Sequence, residues 1–273
     1  MRQRNPGRPT DGGIEEWVHG LQARGRYTFD RAEAAKAFGR ADLALTKALG
    51  RLARKRRIVS PRRGFYVIVP AEFSTPGSPP ADWFIDDLMR VLGHRYYVGL
   101  LTAAAHHGAA HQQPQQFQVV AEVPLRPVRI GRLKIVFVTK AGVERCPVLR
   151  VNTSTGTMAI STPEVTALDL VRYAPIAGHL SNVATVLAEL AEKIDPAKLV
   201  AVVEETGVEM SIVQRLGHLL GKVEMAEIAA PLASWVAERS PRLVALRPGR
   251  PSAESPTDPQ WRVRVNVEVE PDL

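Results

Sequence analysis

Residues 41–69, ADLALTKALGRLARKRRIVSPRRGFYVIV, decide the fold of the N-terminal part of the chain. Their first part predicts a helix, because its apolar residues recur at the spacing that a helix brings to one face. These residues are Leu45, Ala48, Leu49 and Leu52. Two apolar runs follow at 58–60 and 65–69, and the tetrapeptide Pro-Arg-Arg-Gly joins them. A turn-rich tetrapeptide between two β-prone runs predicts a hairpin.

Two helices are predicted before this stretch. The first covers residues 14–23, and an extended piece follows at 26–29. Asp30 and Glu33 then form the pattern of a capping box, which opens a second helix that Gly39 ends. The resulting order is helix, short strand, helix, turn, helix and hairpin. That order is typical of a winged helix-turn-helix, in which the third helix suits a DNA major groove and the hairpin suits the flanking backbone.

The positive charge of the chain is concentrated in its first quarter. Residues 1–70 hold 16 Lys and Arg against 6 Asp and Glu, a formal charge of +10, whereas the remainder carries −2. The formal net charge of +8 therefore comes entirely from the N-terminal part. A basic segment on a near-neutral body indicates a localised contact with a polyanion.

These features predict binding of double-stranded DNA. We expect base-edge contacts near the start of the third helix and phosphate contacts at its end and at the hairpin tip. The predicted DNA-binding residues are Thr46, Lys47, Arg51, Arg54, Lys55, Arg56, Arg57, Arg62 and Arg63. If about six of the basic residues meet phosphates, log affinity should fall with log salt at a slope near −5. The alternative is a solvated basic helix on an ordinary domain.

The chain is predicted to be α+β, with a winged helix-turn-helix domain at 1–70 and a larger mixed sheet-and-helix domain at 82–273. A Pro-, Ser- and Gly-rich segment at 71–81 is the predicted linker. In the second domain, the pattern predicts a helix over 97–110 and four helical segments between 182 and 238. It also predicts a helix that Ser161 caps and a closing strand over 261–270, where valines alternate with polar residues.

The sequence lacks the residues that several kinds of functional site require. The single Cys146 leaves no disulfide framework or cysteine-built zinc site, and phosphate-binding and nucleotide-binding glycine motifs are missing. His107 and His111 have a metal-compatible spacing, but no nearby carboxylate completes a site. We therefore predict no enzyme activity, no cofactor and no metal. Neither a signal peptide nor a membrane-spanning run is present, so we expect a cytoplasmic protein without membrane contact.

Three segments together resemble the AbiEi-type antitoxins of type IV toxin–antitoxin, or abortive-infection, systems. The first is Arg-Arg-Gly-Phe-Tyr-Val at 62–67, the second is YVGLLTAAAHHG at 97–108, and the third is STPEVTALDL at 161–170, followed by SNVA at 181–184. The resemblance implies an antitoxin that represses its own operon by binding operator DNA and counteracts a nucleotidyltransferase-like toxin. An inverted-repeat operator is expected, while the oligomeric state stays open.

Other interpretations stay open from the residues alone. The chain could be a stand-alone winged-helix transcriptional regulator whose C-terminal domain senses a ligand or binds a protein. A nucleic-acid-processing enzyme is a further alternative, although no strand carries the carboxylate cluster that a metal-dependent nuclease needs. A winged helix that contacts proteins is disfavoured by the charge of residues 1–70.

Overall fold

The computed structural model describes residues 11–39, 43–109 and 114–272. The chain divides into two compact units. The first consists of Met1–Arg95, Arg126–Val136 and Val151–Met158, and the second of Tyr96–Leu125, Phe137–Arg150 and Ala159–Leu273. The predicted linker at 71–81 falls within the first unit, where it contains a 3-10 turn at Ala71–Phe73. The predicted domain boundaries at 70 and 82 stay a prediction.

The first unit begins with the element order predicted from the sequence. Its elements are α1 (Asp11–Ala23), β1 (Thr28–Asp30), α2 (Arg31–Phe38), α3 (Leu43–Arg54), β2 (Ile58–Arg62), β3 (Phe65–Ile68) and, after two 3-10 turns, α4 (Ile85–Leu92). The three strands form an antiparallel sheet in the order β1–β3–β2. This order and pairing are those expected of a winged helix-turn-helix.

The helices α1, α2 and α3 pack on a hydrophobic core of their own. Its members include Val18 and Leu21 from α1 and Leu49 from α3, all nearly inaccessible to solvent. The predicted cap of α2 is formed on one side only, since the Asp30 carboxylate accepts the Glu33 backbone N–H at 2.7 Å. The Glu33 carboxylate instead accepts a hydrogen bond from Arg26 at 2.6 Å, so the reciprocal half of a capping box is not made.

The second unit contains most of the helices. Its helices are α5 (Leu100–His106), α6 (Pro163–Arg172), α7 (His179–Leu190), α8 (Pro196–Thr206), α9 (Met210–Lys222) and α10 (Ala226–Arg239). The four predicted helical segments between 182 and 238 correspond to α7 through α10. One contiguous core of buried aliphatic side chains joins α5 through α10, and it includes Leu168, Leu187 and Leu216.

The remaining strands form two sheets. They are β4 (Tyr96–Val98), β5 (Phe117–Ala121), β6 (Val128–Ile130), β7 (Leu133–Thr139), β8 (Val148–Thr153), β9 (Gly156–Ser161), β10 (Val244–Ala245), β11 (Thr257–Asp258) and β12 (Val263–Arg264). The larger sheet has the order β6–β7–β5–β4–β9–β8, and its β4–β9 pairing is parallel whereas β4–β5 is antiparallel. The smaller sheet has the order β10–β12–β11. The mixture of sheets and separate helices confirms the α+β class.

Three local predictions in the second unit were wrong. The predicted helix over 97–110 begins as strand β4 and is helical only from Leu100 to His106, because Tyr97 and Val98 pair with β5 in the middle of the sheet. The closing strand over 261–270 is hydrogen-bonded as a strand only at Val263–Arg264. The helix predicted to be capped by Ser161 is capped by Thr162, whose hydroxyl accepts the Val165 N–H.

None of the helices that the three described ranges contain combines the length and the apolar character needed to span a membrane.

Candidate nucleic-acid interface

Helix α3 separates an apolar face from a basic one. Leu45, Leu49 and Leu52 are 5%, 3% and 2% exposed and pack on the core of the first unit. Basic side chains at the i, i+4 and i+7 positions lie on the opposite, solvent-exposed face, and they form what we term the basic stripe: Lys47, Arg51 and Arg54. Because the leucines fix the rotation of the helix, the basic stripe faces solvent along its whole length.

The start of α3 carries two features that the sequence analysis did not identify. Arg31, the first residue of α2, donates a hydrogen bond to the Thr46 hydroxyl at 2.7 Å. Leu43 is 67% exposed and lies one turn before Lys47 on the same face. An exposed aliphatic side chain there can contact a thymine methyl group in a major groove. The spacing of four residues between Leu43 and Lys47 is enough to predict that Leu43 lies on the face of the basic stripe. The hydrogen bond from Arg31 depends instead on how α2 packs beside α3.

The end of α3 is a Schellman cap built without glycine. The Arg56 N–H bonds to the Ala53 carbonyl and the Arg57 N–H bonds to the Leu52 carbonyl, both at 3.0 Å. Arg56 adopts the left-handed conformation that this motif requires, with φ of 56°. Its backbone therefore turns the chain from α3 toward β2, and its side chain is exposed together with that of Arg57.

Lys55 is held by an acidic residue of α1. Its ammonium lies 2.5 Å from the Glu15 carboxylate, and both side chains are exposed. The hydrogen bond and charge of Lys55, followed by the charges of Arg57 and Arg51, hold the pKa of Glu15 below its ordinary value. Glu15 therefore competes with any phosphate for Lys55.

The hairpin of β2 and β3, which we term the wing, turns more tightly than predicted. Arg62 is the last residue of β2 and pairs with Phe65, so only Arg63 and Gly64 form the connection. Gly64 has a φ of 84°, a conformation that favours glycine. The Ser60 hydroxyl donates to the Arg62 and Phe65 carbonyls at 2.7 and 2.9 Å, which fastens the base of the turn.

The two arginines of the wing are in different environments. Arg62 is partly buried and donates to the backbone carbonyls of Arg126 and Pro61, and burial lowers its pKa. Arg63 is exposed at the tip. The structure therefore brings Arg63 to the position expected of a phosphate contact, while the Arg62 guanidinium is engaged by the protein itself.

The predicted set thus falls into two groups. Eight of the side chains are exposed, and only that of Arg62 is partly buried. Thr46, Lys55 and Arg62 bond to Arg31, Glu15 and the Arg126 carbonyl of the first unit. That the set contacts DNA stays a prediction.

The second unit contains a buried ion pair in its core. The Lys140 ammonium, which follows β7, lies 2.7 Å from the Asp169 carboxylate of α6. The Tyr97 hydroxyl of β4 donates to the same carboxylate at 2.6 Å and accepts from Lys140 at 3.1 Å. Burial and then the charge of Asp169 raise the pKa of Tyr97 well above its ordinary value. The three groups satisfy one another, so the cluster joins β4, β7 and α6.

His107 and His111 are the two histidines whose spacing in the sequence is compatible with a shared metal ion. The Nε2 of His107 lies 2.8 Å from the Ser161 carbonyl, and His111 lies outside the described residues. Within the part of the chain that the structure describes, no three His, Cys, Asp or Glu side chains come together as a metal site.

Comparisons with known proteins bear on both units. Residues 97–222 match the family model of the AbiEi antitoxin C-terminal domain. The crystal structure of RV2827C protein from Mycobacterium tuberculosis superposes with a TM-score of 0.66 at 16% sequence identity, over 96% of this chain and 92% of that chain. This likeness shows a common fold. No curated protein matches the chain. Two of the three segments on which the resemblance rests, 97–108 and 161–170, lie inside the matched range.

Proposed function

Because this chain carries an AbiEi antitoxin C-terminal domain at residues 97–222, we propose that it is the antitoxin of a type IV toxin–antitoxin system. In this proposal the first unit binds operator DNA as an autorepressor, and the second unit counteracts a nucleotidyltransferase-like toxin. The partners are double-stranded DNA, with an inverted repeat as the expected operator, and the toxin.

The observation that supports the DNA-binding half is the exposed basic stripe on α3. Lys47, Arg51 and Arg54 present three cations along about two turns of helix, above a row of buried leucines. A helix of this kind fits the width of a major groove, where Arg and Lys contact guanine edges and phosphates. Thr46 and Leu43 stand at the N-terminal end, where recognition helices usually contact bases.

The wing and the end of α3 supply the flanking contacts in this proposal. Arg63 at the wing tip and Arg56 and Arg57 after α3 are exposed cations that suit phosphate oxygens. Contacts of this type fix position on the duplex and carry no sequence information themselves. With Lys55 held by Glu15 and Arg62 held by a carbonyl, about five phosphate contacts give a salt slope of roughly −4 to −5.

The test is a fluorescence anisotropy titration of the full chain against the duplex upstream of its own gene and against a scrambled duplex, at two salt concentrations. We expect tighter binding to the upstream duplex at both. Arg63→Gln should weaken binding to both duplexes alike, whereas Lys47→Gln should reduce the difference between them. Arg62→Gln is the matched control on the wing and should change affinity less than Arg63→Gln. Equal, salt-sensitive binding to both duplexes would mean that the basic stripe binds DNA only by nonspecific electrostatic attraction.

The toxin half is tested by co-expression. The nucleotidyltransferase-like gene beside this one should arrest growth when expressed alone, and co-expression of this chain should restore growth. Arrest that persists despite accumulation of the folded protein would contradict the proposed antitoxin role, whatever the DNA titration gives.

A further inference from the structure

A cavity of about 540 Å³ lies within the second unit. One wall comes from the end of α6 and the start of α7, a second from α9, and a third from the C-terminal segment at 246–268. Most of its surface is apolar, with Val171, Ala174, Leu180, Leu246 and Val267 among the lining residues. A volume of this size and an apolar lining are typical of small-molecule sites.

The third wall is firmly attached. Gln214 of α9 donates to the carbonyls of Arg242 and Trp261 at 2.9 and 3.0 Å. The Trp261 ring lies against Gly217 so closely that a Cβ there would be 2.1 Å from it. These contacts hold the C-terminal segment on α9 and so fix the third wall of the cavity.

Arg215 lines the cavity, and its side chain is half-buried. Its Nε donates to the Ala245 carbonyl at 3.0 Å, and burial lowers its pKa. Across the described ranges, no carboxylate contacts this guanidinium. Half-buried charges in proteins are normally paired, since removing them from water is costly. An anionic group is the chemical complement of this guanidinium.

The other charged groups at the cavity leave it positive. Arg172 also lines it, but its terminal nitrogens bind Glu209, and its buried Nε has no hydrogen-bond partner. Arg247 and Glu268 are exposed lining residues of the C-terminal segment. With Arg172 neutralised by Glu209, two arginines remain against one glutamate. An apolar wall beside an excess of guanidinium groups suits a ligand that has an apolar part and an anionic group.

We propose that this cavity binds an amphipathic organic anion, with its apolar body against the aliphatic wall and one carboxylate or phosphate group at Arg215 and Arg247. Arginine is suited to both head groups, because its planar fork matches two of their oxygens. Five lining residues, Leu246, Arg247, Pro248, Val267 and Glu268, lie beyond the matched range of 97–222. The experiments below measure ligand binding alone, so their outcome is independent of the tests of the proposed antitoxin function.

The first experiment is isothermal titration of the full chain with four probes. Decanoate and decyl phosphate carry an apolar body and an anionic head group, decanol has the body alone, and inorganic phosphate has the charge alone. We expect saturable one-to-one binding of decanoate or decyl phosphate, about tenfold or more tighter than decanol and inorganic phosphate. The tighter of the two identifies the head group. Absence of saturable binding by both, or equal binding of decanol, would overturn the proposal.

Variants then locate the site. Arg215→Gln and Arg247→Gln should each weaken binding about tenfold. Glu268→Gln should strengthen it about two- to fivefold by removing a competing charge. Arg242→Gln, at an exposed arginine that precedes this segment and lies outside the cavity, is the matched control and should have no effect. Since Arg247 and Glu268 are exposed, their variants keep the test decisive if Arg215→Gln fails to fold. Equal loss in Arg242→Gln and Arg247→Gln would assign the binding to general surface charge.

Discussion

Lys140 and Asp169 show how much one residue can matter inside the range that matches the AbiEi antitoxin domain. Their side chains are 9% and 0% exposed, and Tyr97 binds both. Removing one member of a buried pair leaves an uncompensated charge, which costs about 3–5 kcal/mol. Lys140→Met should therefore lower the free energy of unfolding by that amount, as measured by urea denaturation.

A double-mutant cycle separates this charge effect from lost packing. Lys140→Met combined with Asp169→Asn should cost clearly less than the sum of the single variants, because the second change removes the charge that the first leaves unpaired. Additive costs would mean that the two groups contribute independently and that the ion pair is not the source of the effect.

His107 gives the domain a pH dependence with a defined sign. Burial lowers its pKa below the ordinary value of 6.5, despite its hydrogen bond to the Ser161 carbonyl. The unfolded chain therefore binds a proton at higher pH than the folded chain does. Stability from this residue is present above pH 6.5 and is lost as the pH falls through the unfolded pKa toward the lower folded one.

The check is urea denaturation of the wild type and of His107→Gln at pH 7.5 and pH 5.5. Glutamine can still donate to the Ser161 carbonyl but does not titrate. The wild type should lose more stability between the two pH values than the variant. His19→Gln, at an exposed histidine, is the matched control and should leave the pH dependence of the wild type intact. An equal loss in wild type and His107→Gln would contradict the assignment to His107.

At the scale of elements, the cap of α3 combines a structural and a proposed functional role in Arg56. A left-handed conformation costs an L-residue about 1–2 kcal/mol, and replacement by glycine removes this cost. Glycine in turn loses about 0.5–1 kcal/mol more chain entropy on folding. Arg56→Gly should therefore stabilise the first unit by about 0.5–1 kcal/mol in thermal unfolding. The same variant should make the slope of log affinity against log salt about one unit shallower. Greater stability with an unchanged slope would remove Arg56 from the phosphate contacts.

The elements that were predictable are those fixed by local pattern. The leucine spacing of α3, the Asp30 cap of α2 and the Gly39 stop are properties of a few consecutive residues, and each is present in the structure. The basic stripe followed directly from the leucine positions. The wing was predicted in place, although its turn proved shorter because Ser60 extends β2 by binding across the hairpin.

The elements that were not predictable depend on residues distant in the chain. Tyr97 and Val98 follow a helix-compatible pattern, yet pairing with β5 makes them a strand. Arg62 and Arg63 have the same predicted role in the sequence, but the Arg62 guanidinium donates to the carbonyl of Arg126, 64 residues later. The cavity at Arg215 requires three segments that no local pattern relates, so ligand sensing followed from the residues only as an alternative.

At the scale of the whole molecule, charge and family assignment fall on different parts of the chain. The formal charge of +10 lies in residues 1–70, whereas the matched antitoxin domain spans 97–222. The core of α1, α2 and α3 is distinct from the core that joins α5 through α10. Substitutions of exposed residues such as Lys47, Arg51 and Arg54, which belong to neither core, should therefore leave the stability of the second core nearly unchanged, since sites without shared partners behave additively.

This separation predicts that repression and toxin counteraction can be lost one at a time. Replacing the basic stripe with Lys47→Gln, Arg51→Gln and Arg54→Gln should abolish repression of a reporter placed behind the upstream region, because three cations leave the interface. The same variant should still restore growth during co-expression with the toxin. Triple replacement of Arg239, Arg242 and Arg250 by glutamine removes the same charge from the second unit and should retain repression. If the stripe variant folds and loses both activities together, toxin counteraction runs through DNA binding, and the assignment of one activity to each part of the chain fails.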